Sequence, residues 1–398
     1  MLDLMPSLGT WRPAVSGQRC AVATIVAAGG SVPRPLGTSM LVSEYGDVLG
    51  SLSGGCVEGA VVEAALQAMH DGGSRLEWFG YSAEDAFAVG LTCGGELEVH
   101  IQPIQSTSAA GLDLALLNSA GGSSLALIRR LDAAGGAVVV PDPAGFSAAG
   151  SRELSALLGG DDAVIRAAAA QLEPLLHGGR AGLVRLAPAE GCAGSAVEAE
   201  PLTLFVESRL PAARMLIFGA NDFGAALLPA GKLLGYDVTL CDARPAFSSQ
   251  GRFLAADRLV TDWPHRYLAA EAAADRIDSR TVVCVLTHDP KFDIPLLETA
   301  LDLDLAYVGA MGSRRSHRQR IDGLLDCGVP AEALERLHSP IGLDLGAVTP
   351  AEVAVSITAE ILASRAPHPA SARGSLKDGT GPIHQTNTLE QSKVTPWT

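Results

Sequence analysis

A cysteine that follows two glycines is the residue of this sequence best placed for chemistry. Cys56 comes after Gly54 and Gly55 and directly before a segment with the apolar spacing of a helix. A helix N-terminus carries a partial positive charge, which lowers the pKa of a nearby thiol and favours the reactive thiolate. The two glycines leave space for a ligand beside the sulfur. The sequence therefore predicts that Cys56 is a reactive, ligand-binding thiol.

A second cysteine and an arginine could belong to the same site. Cys93 has turn residues on both sides, and Arg34 stands between two prolines in a stiff loop. Two exposed thiols in glycine-rich turns could bind a soft metal or carry sulfur, and an arginine beside them could hold an anionic group. The alternative interpretation is that both cysteines only fill turns. We assign catalytic roles to Cys56 and Cys93, and ligand binding to Arg34, Gly54 and Gly55.

A glycine-containing turn in the second half of the chain points to nucleotide binding. The stretch Gly219-Ala-Asn-Asp-Phe-Gly224 follows a strand pattern and opens a helix pattern, and Asp242 ends the next strand pattern. This context is typical of Rossmann domains, where the helix N-terminus binds a pyrophosphate and the acid binds ribose hydroxyls. Asn221 replaces the middle glycine and limits the approach of a phosphate, so a Rossmann domain without a ligand is the alternative. The candidate nucleotide-binding residues are Gly219, Asn221, Gly224 and Asp242.

Two further loops should meet at the same crevice, because open parallel sheets bind ligands at the carboxyl ends of their strands. One loop carries His288 and Asp289 after a strand pattern, and the other runs from Gly309 to Arg315 into a helix. We predict that His288 and Asp289 form an acid/base pair. In the alternative interpretation they make turn hydrogen bonds, and the arginines form a solvated face. The candidate cofactor-binding residues of the second loop are Gly309, Gly312 and Arg314.

The segments that must position Cys56 and Cys93 form an imperfect internal duplication. Residues 20–104 predict a strand, a hairpin, a helix and later strands, and residues 124–210 repeat that order. The strand pattern Glu96-Leu-Glu-Val-His-Ile, for example, is echoed by Thr203-Leu-Phe-Val-Glu-Ser. Chance similarity in an Ala/Gly/Leu-rich stretch is the alternative. Only the first copy carries the glycine and cysteine motifs, so the second copy is expected to be a scaffold.

From Arg214 the chain alternates strand and helix patterns, which indicates βαβ units on a parallel sheet. Thr349, Pro350 and Glu352 predict the start of the final helix with a capping box. We expect an α/β protein with an N-terminal α+β domain that contains the duplication, followed by a doubly wound Rossmann-like domain. The expected boundaries are 1–210, 211–366 and a disordered, Pro/Ser/Gly-rich tail at 367–398.

Composition excludes several classes of protein. The 398 residues are 47% hydrophobic and 18% charged, with a formal net charge of −15, which disfavours nucleic acids and anionic membranes. No leader or spanning pattern is present, so a cytoplasmic protein is expected. The seven scattered cysteines form no Cys-x-x-Cys pair, so no disulfide framework or structural zinc site is predicted.

These motifs together resemble the XdhC/CoxI family, the accessory factors of xanthine dehydrogenase and carbon monoxide dehydrogenase. In the N-terminal part the resemblance rests on Gly30-Ser-Val-Pro-Arg-Pro-Leu-Gly-Thr-Ser-Met40, Gly50-Ser-Leu-Ser-Gly-Gly-Cys-Val-Glu-Gly59 and Leu91-Thr-Cys-Gly-Gly95. In the C-terminal part it rests on Thr287-His-Asp-Pro-Lys-Phe-Asp293, Tyr307-Val-Gly-Ala-Met-Gly-Ser-Arg-Arg315 and His338-Ser-Pro-Ile-Gly-Leu-Asp-Leu-Gly-Ala347. Cys56 and Cys93 match the two cysteines of the family pattern, whereas Asn221 departs from the dinucleotide fingerprint.

The resemblance implies a maturation factor rather than a free-standing oxidoreductase. Such a factor binds molybdenum cofactor (molybdopterin), assists its sulfuration with a cysteine desulfurase, and delivers it to a molybdenum hydroxylase apo-enzyme; members are often homodimers. The expected site holds molybdopterin between the Cys56 and Cys93 turns and the loops at the carboxyl ends of the Rossmann-like sheet's strands. The alternatives are an NAD(P)-dependent oxidoreductase that uses the Rossmann cleft, with His288 as proton donor, and a docking protein that has lost its ligand.

Overall fold

The computed structural model describes residues 1–30, 32, 34–80, 95–104, 124–131, 136–188, 201–248, 250–365 and 395–397. The chain divides after Pro211 into an N-terminal and a C-terminal unit, one residue from the expected boundary. Each unit has its own buried apolar clusters. The expected disordered tail falls largely outside the described residues. Its described part, Thr395–Trp397, differs from that expectation because it forms a strand of the N-terminal unit.

The first sheet of the N-terminal unit is antiparallel and carries one long helix. Its five strands are β1 (Cys20–Gly29), β2 (Ser39–Ser43), β3 (Val48–Gly50), β4 (Arg75–Phe79) and β5 (Glu96–Ile104), in the order β3-β2-β1-β5-β4. The helices are α1 (Met5–Leu8), α2 (Arg12–Val15) and α3 (Glu58–Asp71). Helix α3 lies on one face of this sheet because its apolar positions Val61, Ala65 and Ala68 are buried in the same cluster as the strands.

The second sheet of the unit also has five strands, four of them antiparallel as in the first sheet and the fifth, Thr395–Trp397, parallel to its neighbour. Its strands are β6 (Leu125–Arg130), β7 (Ala137–Val140), β8 (Gly182–Pro188), β9 (Leu202–Arg209) and β16 (Thr395–Trp397), in the order β16-β8-β9-β6-β7. The helices are α4 (Arg152–Leu157) and α5 (Asp162–His177). Asp161 caps α5 by accepting hydrogen bonds from two backbone N–H groups.

The two sheets agree in strand order and in register. Equivalent strands follow the orders β2-β1-β5-β4 and β7-β6-β9-β8, and every equivalent pair is antiparallel. Thr24 stands opposite His100 in the first sheet, and Leu127 stands opposite Glu207 in the second. His100 and Glu207 are also equivalent in the sequence repeat, as the fifth residues of Glu96-Leu-Glu-Val-His-Ile and Thr203-Leu-Phe-Val-Glu-Ser. The structure therefore shows the repeated topology that a duplication would produce.

The C-terminal unit is a parallel sheet between two layers of helices. Its six strands are β10 (Arg214–Phe218), β11 (Asp237–Cys241), β12 (Arg258–Val260), β13 (Val282–Val285), β14 (Tyr307–Ala310) and β15 (Leu337–His338), in the order β12-β11-β10-β13-β14-β15. The helices are α6 (Asp222–Leu233), α7 (Pro245–Ser248), α8 (Pro264–Ala273), α9 (Pro290–Asp302), α10 (Arg314–Asp326), α11 (Ala331–Leu334) and α12 (Pro350–Ser364). This strand order is that of a Rossmann fold.

Apolar side chains fix each layer of this unit. Helices α6 and α12 contribute to one buried cluster of the sheet, and α8, α9 and α10 contribute to another. Thr349 and Glu352 form the predicted capping box at the start of α12, which is confirmed. The expected mixed α/β fold class is likewise confirmed. Among the described residues, no helix is long and apolar enough to cross a membrane.

Candidate functional site

The loops that carry the N-terminal motifs lie together at one end of the strands of the first sheet. Strands β1 and β3 both finish at this end, because each pairs antiparallel with β2, which lies between them. Strand β5 begins there, since Gly29 at the end of β1 stands opposite Glu96. Arg34 lies in the loop after β1 and is exposed. Cys93 lies outside the described residues, so its predicted role stays a prediction.

The loop before α3 is organised around the carboxylate of Glu58. Seven donors reach its two oxygens at 2.6 to 3.2 Å. The donors are the hydroxyls of Ser51 and Ser53 and the backbone N–H groups of Leu52, Ser53, Gly54, Gly55 and Val57. Converging N–H groups of this kind form a binding site for an anion. Here the anion is the protein's own side chain.

These hydrogen bonds set the charge of Glu58. Burial alone would raise the pKa of this carboxyl, but the bonds from Ser53, Ser51 and the backbone lower its pKa far below the ordinary range. Glu58 is therefore ionised at neutral pH. Glu58 was not among the residues predicted from the sequence, because an acidic residue in the first turn of a helix is common. A run of small residues directly before such a helix is the signal that could have indicated it.

Cys56 lies on the outer side of this loop. It is exposed, its N–H donates to the Ser53 hydroxyl at 2.9 Å, and it directly precedes Val57, the N-cap of α3. Gly54 and Gly55 have φ values of +86° and +123°, which side chains rarely adopt. The loop can therefore present the thiol on a fixed backbone at the helix start.

The turn after β10 is closed by its own residues. Asn221 is the N-cap of α6: its Oδ1 accepts from the N–H of Gly224 at 2.9 Å, and its Nδ2 donates to the carbonyl of Leu286 at 2.8 Å. Gly219 has a φ of +123°, and a Cβ on Gly224 would lie 2.6 Å from the carbonyl oxygen of Gly219. These glycines permit the tight turn. The Asn221 side chain occupies a helix-terminal N–H that a phosphate would need.

Asp242 is also engaged within the protein. It directly follows β11 and is buried; its carboxylate accepts from the N–H of Ala220 at 2.8 Å and from Arg244 through three N–H groups at 2.9 Å. Burial opposes ionisation, but these bonds keep the pKa of Asp242 below its ordinary value. The carboxylate thus faces the 219–224 turn as the fingerprint requires, while Arg244 covers the acceptors that a ribose would use.

His288 and Asp289 follow β13 at the same carboxyl edge of the sheet. Asp289 is the N-cap of α9 and pairs with Lys291 at 2.9 Å, and the hydrogen bond from Lys291 lowers the pKa of this carboxyl. His288 is exposed. In the part of the chain that the structure describes, no hydrogen bond joins the two side chains. Their predicted acid/base role stays a prediction; the Asp289 carboxylate accepts from the backbone N–H of Lys291 at 3.2 Å, a local hydrogen bond of the kind that the alternative interpretation describes.

The residues predicted from the loop after β14 separate into two environments. Gly309 is buried within the strand, where a Cβ would lie 2.6 Å from Ile341 and Tyr307, so it allows close packing. Gly312 has a φ of +153° and precedes Ser313, the N-cap of α10. Arg314 begins α10 and is exposed. Of these residues, only Gly312 and Arg314 lie at the carboxyl ends of the parallel strands, which we call the carboxyl rim.

A cavity of about 240 Å³ lies at this rim, and two residues that the sequence analysis did not single out line it. Asp293 on α9 and Arg320 on α10 form a buried ion pair at 2.9 Å. His288, Met311, Ser316 and Gln319 also line the cavity. Asp293 and Arg320 fall on the buried faces of their helices. Charged residues at apolar positions are the signal that could have indicated them.

Three motifs of the C-terminal unit meet at this ion pair. Asp293 accepts a hydrogen bond from the Thr287 hydroxyl at 2.5 Å. Arg320 donates to the carbonyl of Met311 at 2.9 Å and to the hydroxyl of Ser339 at 3.0 Å. The pair therefore connects the ends of β13, β14 and β15. Among the described residues, no group of three His, Cys, Asp or Glu side chains could hold a metal ion.

Comparison with known proteins agrees with this architecture. The model of the XdhC Rossmann domain matches residues 215–361, and the model of the XdhC and CoxI family matches residues 14–80. Together they span more than half of the chain. The chain therefore belongs to the XdhC/CoxI family, and the resemblance seen in the sequence is confirmed.

Individual relatives span nearly the whole chain. A Bacillus subtilis protein named as a probable xanthine dehydrogenase subunit is 24% identical over 356 residues, 87% of this chain and 94% of that protein. The molybdenum cofactor insertion chaperone PaoD of Escherichia coli is 25% identical over 351 residues, 88% of this chain and 85% of that protein. A solved structure described as a xanthine dehydrogenase of Bacillus halodurans has a TM-score of 0.58 and 25% identity, and the match covers 92% of this chain and 96% of that one.

Proposed function

We propose that this protein binds molybdenum cofactor and delivers it to the apo-enzyme of a xanthine dehydrogenase-type molybdenum hydroxylase. The observation that carries the proposal is the exposed Cys56 on the Glu58-organised loop. A thiolate is a soft ligand suited to a soft metal or to sulfur. The relative named as a molybdenum cofactor insertion chaperone, which aligns over most of the chain, supports the same role.

The finer parts of the proposal concern sulfuration and partners. Cys56 assists sulfuration of the cofactor, with a cysteine desulfurase as sulfur donor and Cys93 as the second thiol. The protein acts in the cytoplasm as a homodimer. Its own residues hold and release the cofactor, and the client enzyme performs the oxidation, so this chain itself is not an oxidoreductase.

The alternative of an NAD(P)-dependent oxidoreductase has no specific observation in its favour. Asn221 and Asp242 already accept from the N–H groups of Gly224 and Ala220, which a pyrophosphate would otherwise bind. His288, the proposed proton donor, has no hydrogen-bonded partner among the described residues. We therefore do not propose hydride chemistry in this crevice.

The test is cofactor retention by the full-length chain. Purified protein is incubated with molybdenum cofactor released from a hydroxylase and passed through a desalting column, and the molybdenum that remains bound is measured by mass spectrometry. We expect Cys56→Ala to retain at least about tenfold less molybdenum than wild type, a loss of about 1.4 kcal/mol in binding. Cys327→Ala removes an exposed thiol from the other unit and is the matched control.

A second assay tests delivery. Loaded protein is mixed with apo-hydroxylase, and enzyme activity is followed over time. Activation by wild type and by Cys327→Ala, but not by Cys56→Ala, is the expected pattern. Equal retention and delivery by a folded Cys56→Ala variant would overturn the role of Cys56.

A further inference from the structure

The Asp293–Arg320 pair lies on helix faces whose other buried residues are apolar. Both side chains are about 95% buried, with 4% and 5% exposed. A buried ion pair gains little over apolar residues of the same volume, because both charges must leave water. Its position on the wall of a cavity at the carboxyl ends of parallel strands suggests a different use. Pockets of this kind combine apolar walls with a few convergent polar groups.

The size of the cavity limits what it can hold. Pockets for drug-sized ligands are typically about 300–1,000 Å³, and this cavity is about 240 Å³. By volume the cavity is too small for a whole dinucleotide but large enough for one fused two-ring heterocycle. The pair is also neutral in total, so the cavity does not select for a bare anion or a bare cation.

The hydrogen bonds of Asp293 show which of its acceptor positions remain for a ligand. Asp293 Oδ1 accepts from Thr287, and Oδ2 accepts from Arg320. Each carboxylate oxygen has two acceptor sites, so each retains one. A ligand that presents two adjacent N–H donors would use both. The amino group and the neighbouring ring N–H of a 2-amino-4-oxopteridine have this arrangement.

We propose that this cavity binds the pterin ring of molybdopterin, with Asp293 accepting its amino and ring N–H groups. Arg320 is a positioning residue that holds the carboxylate and balances its charge. The inference rests on the proposed function and adds a binding site in the C-terminal unit. Cys56, in the other unit, is not part of it.

The binding experiment uses two ligands that differ in one group. Pterin itself is titrated into the full-length chain and followed by its fluorescence. Lumazine, which has an oxo group in place of the amino group, is the matched control ligand. We expect lumazine to bind at least tenfold more weakly than pterin.

Three variants test the residues. Asp293→Asn replaces one acceptor with a donor, and we expect at least a tenfold loss of pterin affinity. Glu298→Gln removes an exposed carboxylate from the same helix, outside this cavity, and should bind pterin as wild type does. Gln319→Trp places a bulky side chain at the cavity wall without changing the ion pair, so it tests occupancy even where Asp293→Asn fails to fold.

The outcomes separate this inference from the proposed function. Equal binding of pterin and lumazine, or wild-type pterin affinity in Gln319→Trp, would overturn the ring site. If the ring site fails in this way, the proposed function still stands, provided that wild type retains molybdenum and Cys56→Ala does not. Absence of pterin binding by wild type would also overturn the ring site, whereas loss of molybdenum retention with normal pterin binding would overturn only the chaperone role.

Discussion

Glu58 is the residue that turns a flexible glycine-rich loop into a defined one. Its carboxylate accepts from five backbone N–H groups and two hydroxyls between Ser51 and Val57. Without it, those N–H groups would be satisfied by water or by an outside anion. The orientation of Cys56 therefore depends on a residue two positions further along the chain.

Replacing Glu58 by Gln should loosen this loop without removing the thiol. The amide keeps one acceptor oxygen but turns an NH2 group towards N–H donors. We expect the free energy of unfolding at pH 7 to fall by roughly 1–2 kcal/mol, since hydrogen bonds to charged groups are the stronger ones and this site is partly exposed. Urea denaturation measures the change, and Glu63→Gln, an exposed residue of the same helix, is the control.

The pH dependence of this effect has a defined sign. The folded-state pKa of Glu58 is lowered, so its contribution is fully present above the unfolded pKa of about 4.3 and is lost as pH falls through the folded value. The difference between wild type and Glu58→Gln should therefore shrink below about pH 4. A difference that stays constant down to pH 2 would show that the charge of Glu58 is not responsible.

The cysteines should differ strongly in reactivity. Burial raises the pKa of Cys241 to about 12 and raises that of Cys284 further, whereas Cys56 and Cys327 are exposed. We expect iodoacetamide at pH 8 to label Cys56 and Cys327 in the native protein, and Cys241 and Cys284 only after unfolding. Peptide mapping over time measures the order. Labelling of Cys284 as fast as Cys56 would contradict it.

At the scale of elements, Asn221 illustrates a conflict between capping and ligand binding. The residue that departs from the dinucleotide fingerprint is the same one that caps α6 and ties it to the end of β13. A helix N-terminus that is capped from within has fewer N–H groups to offer a phosphate. The Asn221 cap therefore disfavours binding of a pyrophosphate at the N–H of Gly224.

Asn221→Ala should lower stability by roughly 0.5–2 kcal/mol, because Ala cannot accept from the N–H of Gly224. Asn221→Asp keeps the cap but loses the bond to the Leu286 carbonyl, so we expect a smaller loss. Thermal unfolding of the two variants measures the difference. An equal loss in both would show that the tie to Leu286, not the cap, carries the effect.

The sequence predicted elements better than it predicted contacts. Local signals such as Thr349-Pro350 and the run 282–285 depend on neighbours in the chain, and these elements were placed to within a few residues. The Asp293–Arg320 pair joins residues far apart in sequence, and single residue types do not indicate which charges will meet. The contact between Asp242 and Ala220 was likewise not predicted: the acid expected to bind a ligand accepts a hydrogen bond from a backbone N–H of the protein itself.

At the scale of the whole molecule, the two copies of the N-terminal unit share strands and a long helix but differ in the loop before that helix. Four strands of each sheet of the N-terminal unit follow the same order, but the Glu58 loop occurs before α3 of the first copy. At the corresponding place the second copy has α4 and an Asp161 cap at α5. The second copy thus keeps the sheet and helix without the Glu58 loop, and its role as a scaffold stays a prediction.

The two units should unfold as separate cooperative transitions, because each has its own apolar clusters. Glu58→Gln should shift only the transition of the N-terminal unit, and Asn221→Ala only that of the C-terminal unit. A loss of about 1 kcal/mol corresponds to roughly 2–4 °C for a unit of this size, which differential scanning calorimetry resolves. Equal shifts of the whole curve by both variants would instead mean that the chain unfolds as one cooperative body.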